Sequence, residues 1–242
     1  MALEKIEGIV IDVIRHNDRN NVVTLFCRNH GRISFISPVG SGKTARLRNA
    51  RLMTMSVIET EVNFRSSRSL QLLGAFNSSR VWRSLYFDPV KSAMVMFMSE
   101  FLHRYLRDSS AEPLLWEYVV GSLERLDATR GSIANFHLAF LIGMLHFAGI
   151  MPDMSGYEAG DYFDMLAGES VPDRPLHRNF LTAGDTMELP KLLKMNFRNQ
   201  HLFRLTAQQR REVMDGLLRY FSIHLPGLGS LRSPMILAEV FS

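Results

Sequence analysis

The sequence predicts an α+β protein: a small five-stranded β-barrel followed by a helical domain. Three observations carry this. Up to residue 76, short β-branched and aromatic runs recur between turn residues, with no stretch long enough for a crossover helix. From Asp88-Pro89 onward the apolar spacing becomes helical. The charge changes at the same place: residues 1–87 carry 13 Lys/Arg against 6 Asp/Glu, and residues 88–242 carry 15 against 18, which returns the net +4 of the chain. The boundary is expected at 83/84, giving a barrel over 1–83 and a helical domain over 84–242 with a non-helical insert near 153–175.

The strands are expected in this order. Residues 9–14 (IVIDVI) form the first, broken once by Asp12, and HNDRNN supplies a turn. Residues 22–26 (VVTLF) form the second, RNHG turns the chain, and 32–37 form the third. Residues 52–61 (LMTMSVIETE) form a fourth with looser alternation, and 63–69 lead hairpin-like into a fifth at 70–76. The count and size fit a barrel of the oligonucleotide-binding (OB) kind, though strand count alone does not separate it from an SH3-like barrel.

The helices come next. Asp88 caps the first and Pro89 occupies its first position; Val90, Ala93, Met94, Phe97, Phe101, Leu102 and Tyr105 keep helical spacing to about 106. A second is expected over 113–126 and a third over 132–147, closed by Gly149. Residues 157–175 break the periodicity, as a hairpin or ordered loop. A fourth helix is expected around 185–195. Thr206 and Gln209 make a capping box for a fifth that runs to 224, and a last short helix covers 235–241.

Composition excludes several classes. Cys27 is the one cysteine, so neither an intramolecular disulfide nor a Cys-rich zinc site can form, and a strand cysteine of this kind is usually buried. The N-terminal residues have no apolar signal core. The longest apolar stretch, 133–150, contains Asn135, His137 and His146, and reads as a core helix rather than a membrane span. The expectation is a cytoplasmic, nucleoid-associated protein with no membrane partner. The histidines lack metal-ligand spacing, and no nucleophile has a base beside it in the sequence. No catalytic residue, metal or cofactor is expected. Met94, Met96 and Met98 read mainly as core, and secondarily as an adaptable protein-binding surface.

The stretch at 31–51 (GRISFISPVGSGKTARLRNAR) concentrates the chemistry. No Asp or Glu occurs between Asp18 and Glu59, whereas Arg32, Lys43, Arg46, Arg48 and Arg51 fall inside that span. GSGKT looks like a phosphate-cradling loop, but the motif needs a glycine where Ser37 stands and a long helix after Thr44. The continuation TARLRNARLMTMSVIE lacks helical periodicity and reads as basic, then strand-like. The residues fit a different use: Gly40, Ser41 and Gly42 as a flexible loop, and the cations as ligands for nucleic-acid phosphates. A second cluster, Arg65, Arg68, Arg80 and Arg83, flanks the fifth strand. Of the aromatics between the charges, Phe26, Phe35 and Phe64 read as core, and Trp82, between Arg80 and Arg83, as a base-stacking candidate.

GIVIDVI followed by VVTLFCRNHGRISFI, the signature Gly31-Arg32-Ile33, and the glycine-plus-basic loop from Gly40 to Arg46 resemble the bacterial recombination mediators of the RecO family. In the helical half GSIANFHLAFLIGMLHFAGIMP, then YFD, then HLPGLGSLRSPMILAEVF are similar to the branch found in relatives of Bacteroides. The resemblance covers nearly the whole chain. It implies an OB barrel and a helical domain, binding of single- and double-stranded DNA, strand annealing without nucleotide hydrolysis, and two protein partners, RecR and the acidic, apolar C-terminal tail of the single-strand DNA-binding protein, in loading RecA. Two departures stand out. Many relatives carry a four-cysteine zinc site, whereas 153–174 holds no cysteine and its aromatics are expected to fill that space. The family's usual Leu-Gln-Pro after the basic loop is here Ala50, Arg51 and Leu52.

Three functions are open to test: a non-catalytic DNA-binding and annealing protein; an adaptor whose helical domain receives a partner's peptide tail; and a P-loop NTPase, against which Ser37 already stands.

Overall fold

β1 (Glu4–Arg15) is the long strand on which the barrel is built; it pairs antiparallel with β2 (Asn20–Cys27) along its second half and with β4 (Val57–Val62) along its first. The computed structural model describes residues 3–40, 42–65, 67–107 and 110–241, without the side chains of Thr44 and Ala45; Ser41 of the expected loop lies outside them. A bulge between Val10 and Asp12 resets the alternation. Ile6 and Val10 point into the barrel before it and Val13 after it, while Ile9 and Ile11 point outward. β3 (Gly31–Pro38) pairs antiparallel with β2, and Ile33 and Phe35 join Val23, Leu25 and Cys27 in the same core.

The expected fifth strand is two short strands. β5 (Leu70–Leu72) pairs parallel with β3, and β6 (Phe76–Ser78) pairs antiparallel with β4. One bent run thus joins both free edges of the sheet, so among the described residues the order is β5-β3-β2-β1-β4-β6, with the expected fifth strand divided between the two edges. Gly74 sits at the bend. A Cβ there would lie 3.0 Å from the Glu61 carbonyl oxygen, a backbone atom that cannot swing away. We expect Gly74→Val to destabilise the barrel by about 1–3 kcal/mol, read as a lower urea midpoint; an unchanged midpoint would show that the bend relaxes freely.

The residues after Gly42 correct the expected strand-like reading. Residues 43–49 are helical: α1 (Lys43–Asn49) has Gly42 at its N-cap. Seven residues make only two turns, too few to display a period, and Ala45, Arg46, Leu47 and Arg48 all favour helix. The fourth strand accordingly begins later than expected, at Val57 rather than 52, because Leu52 to Ser56 form a turn with Met55 in the left-handed region at φ 64°.

α2 (Pro89–Tyr105) starts as expected, with the Asp88 carboxylate accepting from the Val90 and Lys91 amides. It packs on β1, and Ser99 Oγ donates to the Ile11 carbonyl at 2.6 Å. The outward-facing Ile9, Ile11 and Phe26 are therefore buried as well as the barrel interior. α3 (Pro113–Ala128) comes after it. Packing divides the chain into two compact units, Met1–Thr129 with Leu231–Val240, and Arg130–Ser230 with Phe241–Ser242. The C-terminal helix belongs to the first unit. Its start is held by Glu100 on α2, whose carboxylate accepts from the Arg232 amide at 2.9 Å and from the Ser233 amide at 2.7 Å.

The second unit contains α4 (Phe136–Ala148), closed by Gly149 in the left-handed conformation, and a small sheet of β7 (Tyr162–Asp164), β8 (Glu169–Val171) and β9 (Phe180–Leu181) in the order β8-β7-β9. The expected fourth helix is two single turns, α5 (Ala183–Thr186) and α6 (Leu189–Leu192). α7 (Ala207–His224) has the Thr206–Gln209 capping box and packs on α4, and the C-terminal helix, α8, is Ser233–Val240. Among the described residues no helix is long and apolar enough to cross a membrane.

Candidate nucleic-acid interface

In OB barrels the outer face of the second and third strands, with the loops beside it, is the usual surface for oligonucleotides. In this chain that face is covered in part. Thr24 and Phe26 are buried, and Arg32, on the outer side of β3, donates from Nη1 to the His103 carbonyl of α2 at 3.0 Å. His103 Nδ1 in turn lies 3.7 Å from the Asp12 carboxylate at the bulge. Burial, with the Arg32 charge beside it, holds the His103 pKa below its ordinary value. Arg32 therefore joins barrel to helix, at the opposite end of β3 from Lys43, Arg46 and Arg48 on α1.

The exposed cations gather instead at the end of the barrel where β3 leads into α1. Lys43 and Arg46 on α1, and Arg51 just after it, are exposed. Arg48 is turned the other way. Its Nη2 donates to Ser37 Oγ at 3.3 Å and to the Leu73 and Gly74 carbonyls at 3.1 and 3.3 Å, and its guanidinium lies over the Phe76 ring. It fastens α1 to the bent closing run. Asn49 Nδ2 holds the loop before α1 by donating to the Val39 carbonyl at 2.7 Å. Gly40 within that loop has a φ of 59°, which glycine adopts without strain.

Arg19 is a member that sequence reasoning missed. It lies in the turn between β1 and β2, and its carbonyl accepts from the Val39 amide at 2.8 Å. Its side chain is exposed. The pairing of Asn20 with Pro38 places that turn beside the loop leading to α1. The available signal was the acid-free span itself, which begins directly after Asp18. Arg15, in contrast, is paired with Asp18 at 2.6 Å.

The second expected cluster does not stay together. Arg65 and Arg68 lie in the loop before β5, which is wrapped around the buried amide of Gln71: its Nε2 donates to both their carbonyls at 2.8 Å. Arg48 meets the other end of the same run, and the five residue steps from Arg68 to Leu73 span about 17 Å of extended chain. Arg80 forms ion pairs with Glu124 at 3.2 Å and Glu7 at 3.7 Å. Arg83 is exposed, with its backbone amide held by Asp127. Trp82, expected at the surface, is a correction: it is 9% exposed, and Nε1 donates to the Met55 carbonyl at 3.1 Å. Its neighbours point outward while it fills the space under the turn before β4. Phe26 and Phe35 are buried, and Phe64 is half-buried against the His30 ring.

In the second unit Asp161 and Asp164 turn to their own backbone. Asp161 accepts from the Glu158 amide, and Asp164 from the Leu166 and Ala167 amides and from His177. The aromatics of the small sheet pack on one another and on α7, Phe163 against Tyr220 and Tyr162 edge-on to Phe180, both at 5.8 Å. In the first unit Met94 and Met98 are buried, leaving Met96 as the exposed member of the Met-rich helix.

The family sequence models described as Recombination protein O N terminal and Recombination protein O C terminal match residues 1–80 and 86–233. The chain is 34% identical over 240 residues to the DNA repair protein RecO of Bacteroides fragilis, spanning 99% of both chains. It is 34% identical over 240 residues to that of Phocaeicola vulgatus, spanning 99% of this chain and 100% of the relative. With the Flavobacterium psychrophilum protein the identity is 28% over 239 residues, spanning 98% and 99%.

Proposed function

The chain belongs to the RecO family of DNA repair and recombination proteins, and from that premise we propose that it binds DNA without catalysis, anneals complementary single strands, and with RecR and the single-strand DNA-binding protein promotes RecA loading at gaps. The observation that carries the DNA-binding part is the grouping of Arg19, Lys43, Arg46 and Arg51, exposed at one end of the barrel within a span lacking Asp and Glu. Each cation that meets a phosphate releases condensed counterions, which supplies affinity without sequence preference. Annealing needs two polyanions brought close together. Cations held on a rigid barrel lower the repulsion between them, with no bond made or broken and no nucleotide consumed. Lys43 opens a helix of only seven residues, with Ser37 where a P-loop has glycine, which favours DNA backbone over nucleotide as its ligand.

The partner tail is acidic and apolar in the family picture, and the helical part is the proposed receiver. The adaptor reading rests on the uneven charge between the two halves, since two of the three methionines that also motivated it are core.

The test is a salt titration of oligonucleotide affinity by fluorescence anisotropy. Wild-type affinity should fall steeply with salt. Lys43→Ala with Arg46→Ala should weaken binding about tenfold at low salt and reduce the slope of log K against log salt by about 1.4, near 0.7 per lost single-strand phosphate contact. An unchanged slope would remove these residues from the interface.

A further inference from the structure

We propose that the strap joining barrel to helices, residues 80–88, is a preformed platform on which an unpaired nucleobase stacks, with Phe87 as the stacking ring and Arg83 as the ligand for the adjoining phosphate. This rests on the proposed DNA binding and adds to it a contact specific for single strands.

Exposure selects the residue. Phe87 is 82% exposed, and among the described residues no other Phe, Tyr or Trp side chain is exposed. The other large rings of the strap are used internally: Trp82 donates to the Met55 carbonyl, and Tyr86 Oη donates to the Thr54 carbonyl at 3.0 Å. Phe87 thus projects from a segment whose neighbouring rings are fixed beneath it.

The strap is also rigid. The Asp127 carboxylate accepts from the Arg83 amide at 2.9 Å, the Ser84 amide at 2.7 Å and the Leu85 amide at 3.2 Å. Lys91, itself buried, donates to Ser84 Oγ at 2.9 Å. The Phe87 and Asp88 amides both donate to the Ser84 carbonyl at 3.0 Å, which closes the turn carrying the ring. A ring presented this way has little freedom left to lose on binding, and that favours affinity.

Position links the platform to the cations. Tyr86 and Trp82 are pinned to Thr54 and Met55, and Arg51 precedes Thr54 by three residues, at most about 11 Å of chain. A strand held by Arg51 and α1 therefore reaches the strap within a few nucleotides. Every base has a π-face, so such a ring accepts any sequence, but a duplex keeps its bases stacked on one another and offers none. The cations bind both forms, and Phe87 separates them.

The experiment compares full-length wild type, Phe87→Ala and Phe87→Trp on a labelled oligothymidylate and on a duplex of equal length. Phe87→Ala should weaken the single strand about tenfold and leave duplex affinity and the salt slope unchanged. Phe87→Trp should keep single-strand affinity and show quenched emission when the oligothymidylate binds. Equal loss on both substrates, or wild-type single-strand affinity in Phe87→Ala, overturns the platform. Wild-type binding by Phe87→Ala alongside weakened binding by Lys43→Ala with Arg46→Ala would sink the stacking contact alone. Wild-type binding by both would sink the cation assignment beneath it too.

Discussion

Trp82→Ala is expected to destabilise the barrel unit by about 4 kcal/mol, the range seen when a large buried aromatic is truncated. The indole is nearly fully buried, and its Nε1 is the donor to the Met55 carbonyl. Met55 occupies a left-handed conformation that costs a residue with a Cβ roughly 1–2 kcal/mol, and its amide donates to the Val10 carbonyl. The indole therefore helps hold a strained turn as well as filling space, and alanine would leave both a cavity and an unmatched carbonyl. Trp82→Phe keeps most of the volume and loses the donor, so it should cost nearer 1 kcal/mol. Urea unfolding followed by far-UV circular dichroism separates the two. The structural assignment fails if Trp82→Ala unfolds at the wild-type midpoint and loses DNA affinity instead.

The same tryptophan shows where sequence reading stops. VWRSLYFDP, between Arg80 and Lys91, contains three aromatic residues, and the chain spends two of them on internal contacts. No local pattern marks which ring is left outside, because burial here depends on the turn at Thr54 and Met55, some thirty residues away. Phe87 was unreadable for that reason, as was Arg19. Its place beside α1 comes from the pairing of β2 with β3 and from the Arg19–Val39 bond, a tertiary fact. Arg48 failed in the opposite direction: it shares the charge and spacing of Arg46 and Arg51, but the helical turn points it inward.

Legibility depended on local chemistry. Asp88-Pro89 and Thr206 with Gln209 mark helix starts because the cap is made within the same few residues. The first three strands were legible because inward and outward positions alternate between apolar and mixed. Even there the β1 bulge hid behind IVIDVI: Ile9 and Ile11 are as apolar as Val10, since α2 covers the outer face. A face covered by a helix removes the polar half of the alternation, and with it the register.

Asp127→Ala is expected to cost about 3 kcal/mol, because one carboxylate satisfies the amides of Arg83, Ser84 and Leu85 and the hydroxyl of Ser84 at the connection between barrel and helices. The change also leaves Lys91, whose ammonium donates to Ser84 Oγ and to the Asp127 and Thr129 carbonyls, in a looser setting. The pH dependence identifies the carboxylate as the cause. Burial alone pushes the Asp127 carboxyl up, but the donors from Arg83, Ser84 and Leu85 outweigh it and hold its pKa below the ordinary value. A pKa lowered by folding contributes stability that is complete above the unfolded value, near 4, and is lost as the pH falls through the folded one. Asp127→Asn keeps the shape and lacks the titration. The stability gap between wild type and Asp127→Asn should therefore be constant from neutral pH down to about 5 and narrow below about 4. Urea midpoints at a series of pH values measure it. A gap that stays constant into strong acid would mean that the carboxylate's charge contributes nothing to this connection, and that the strap is held by packing alone.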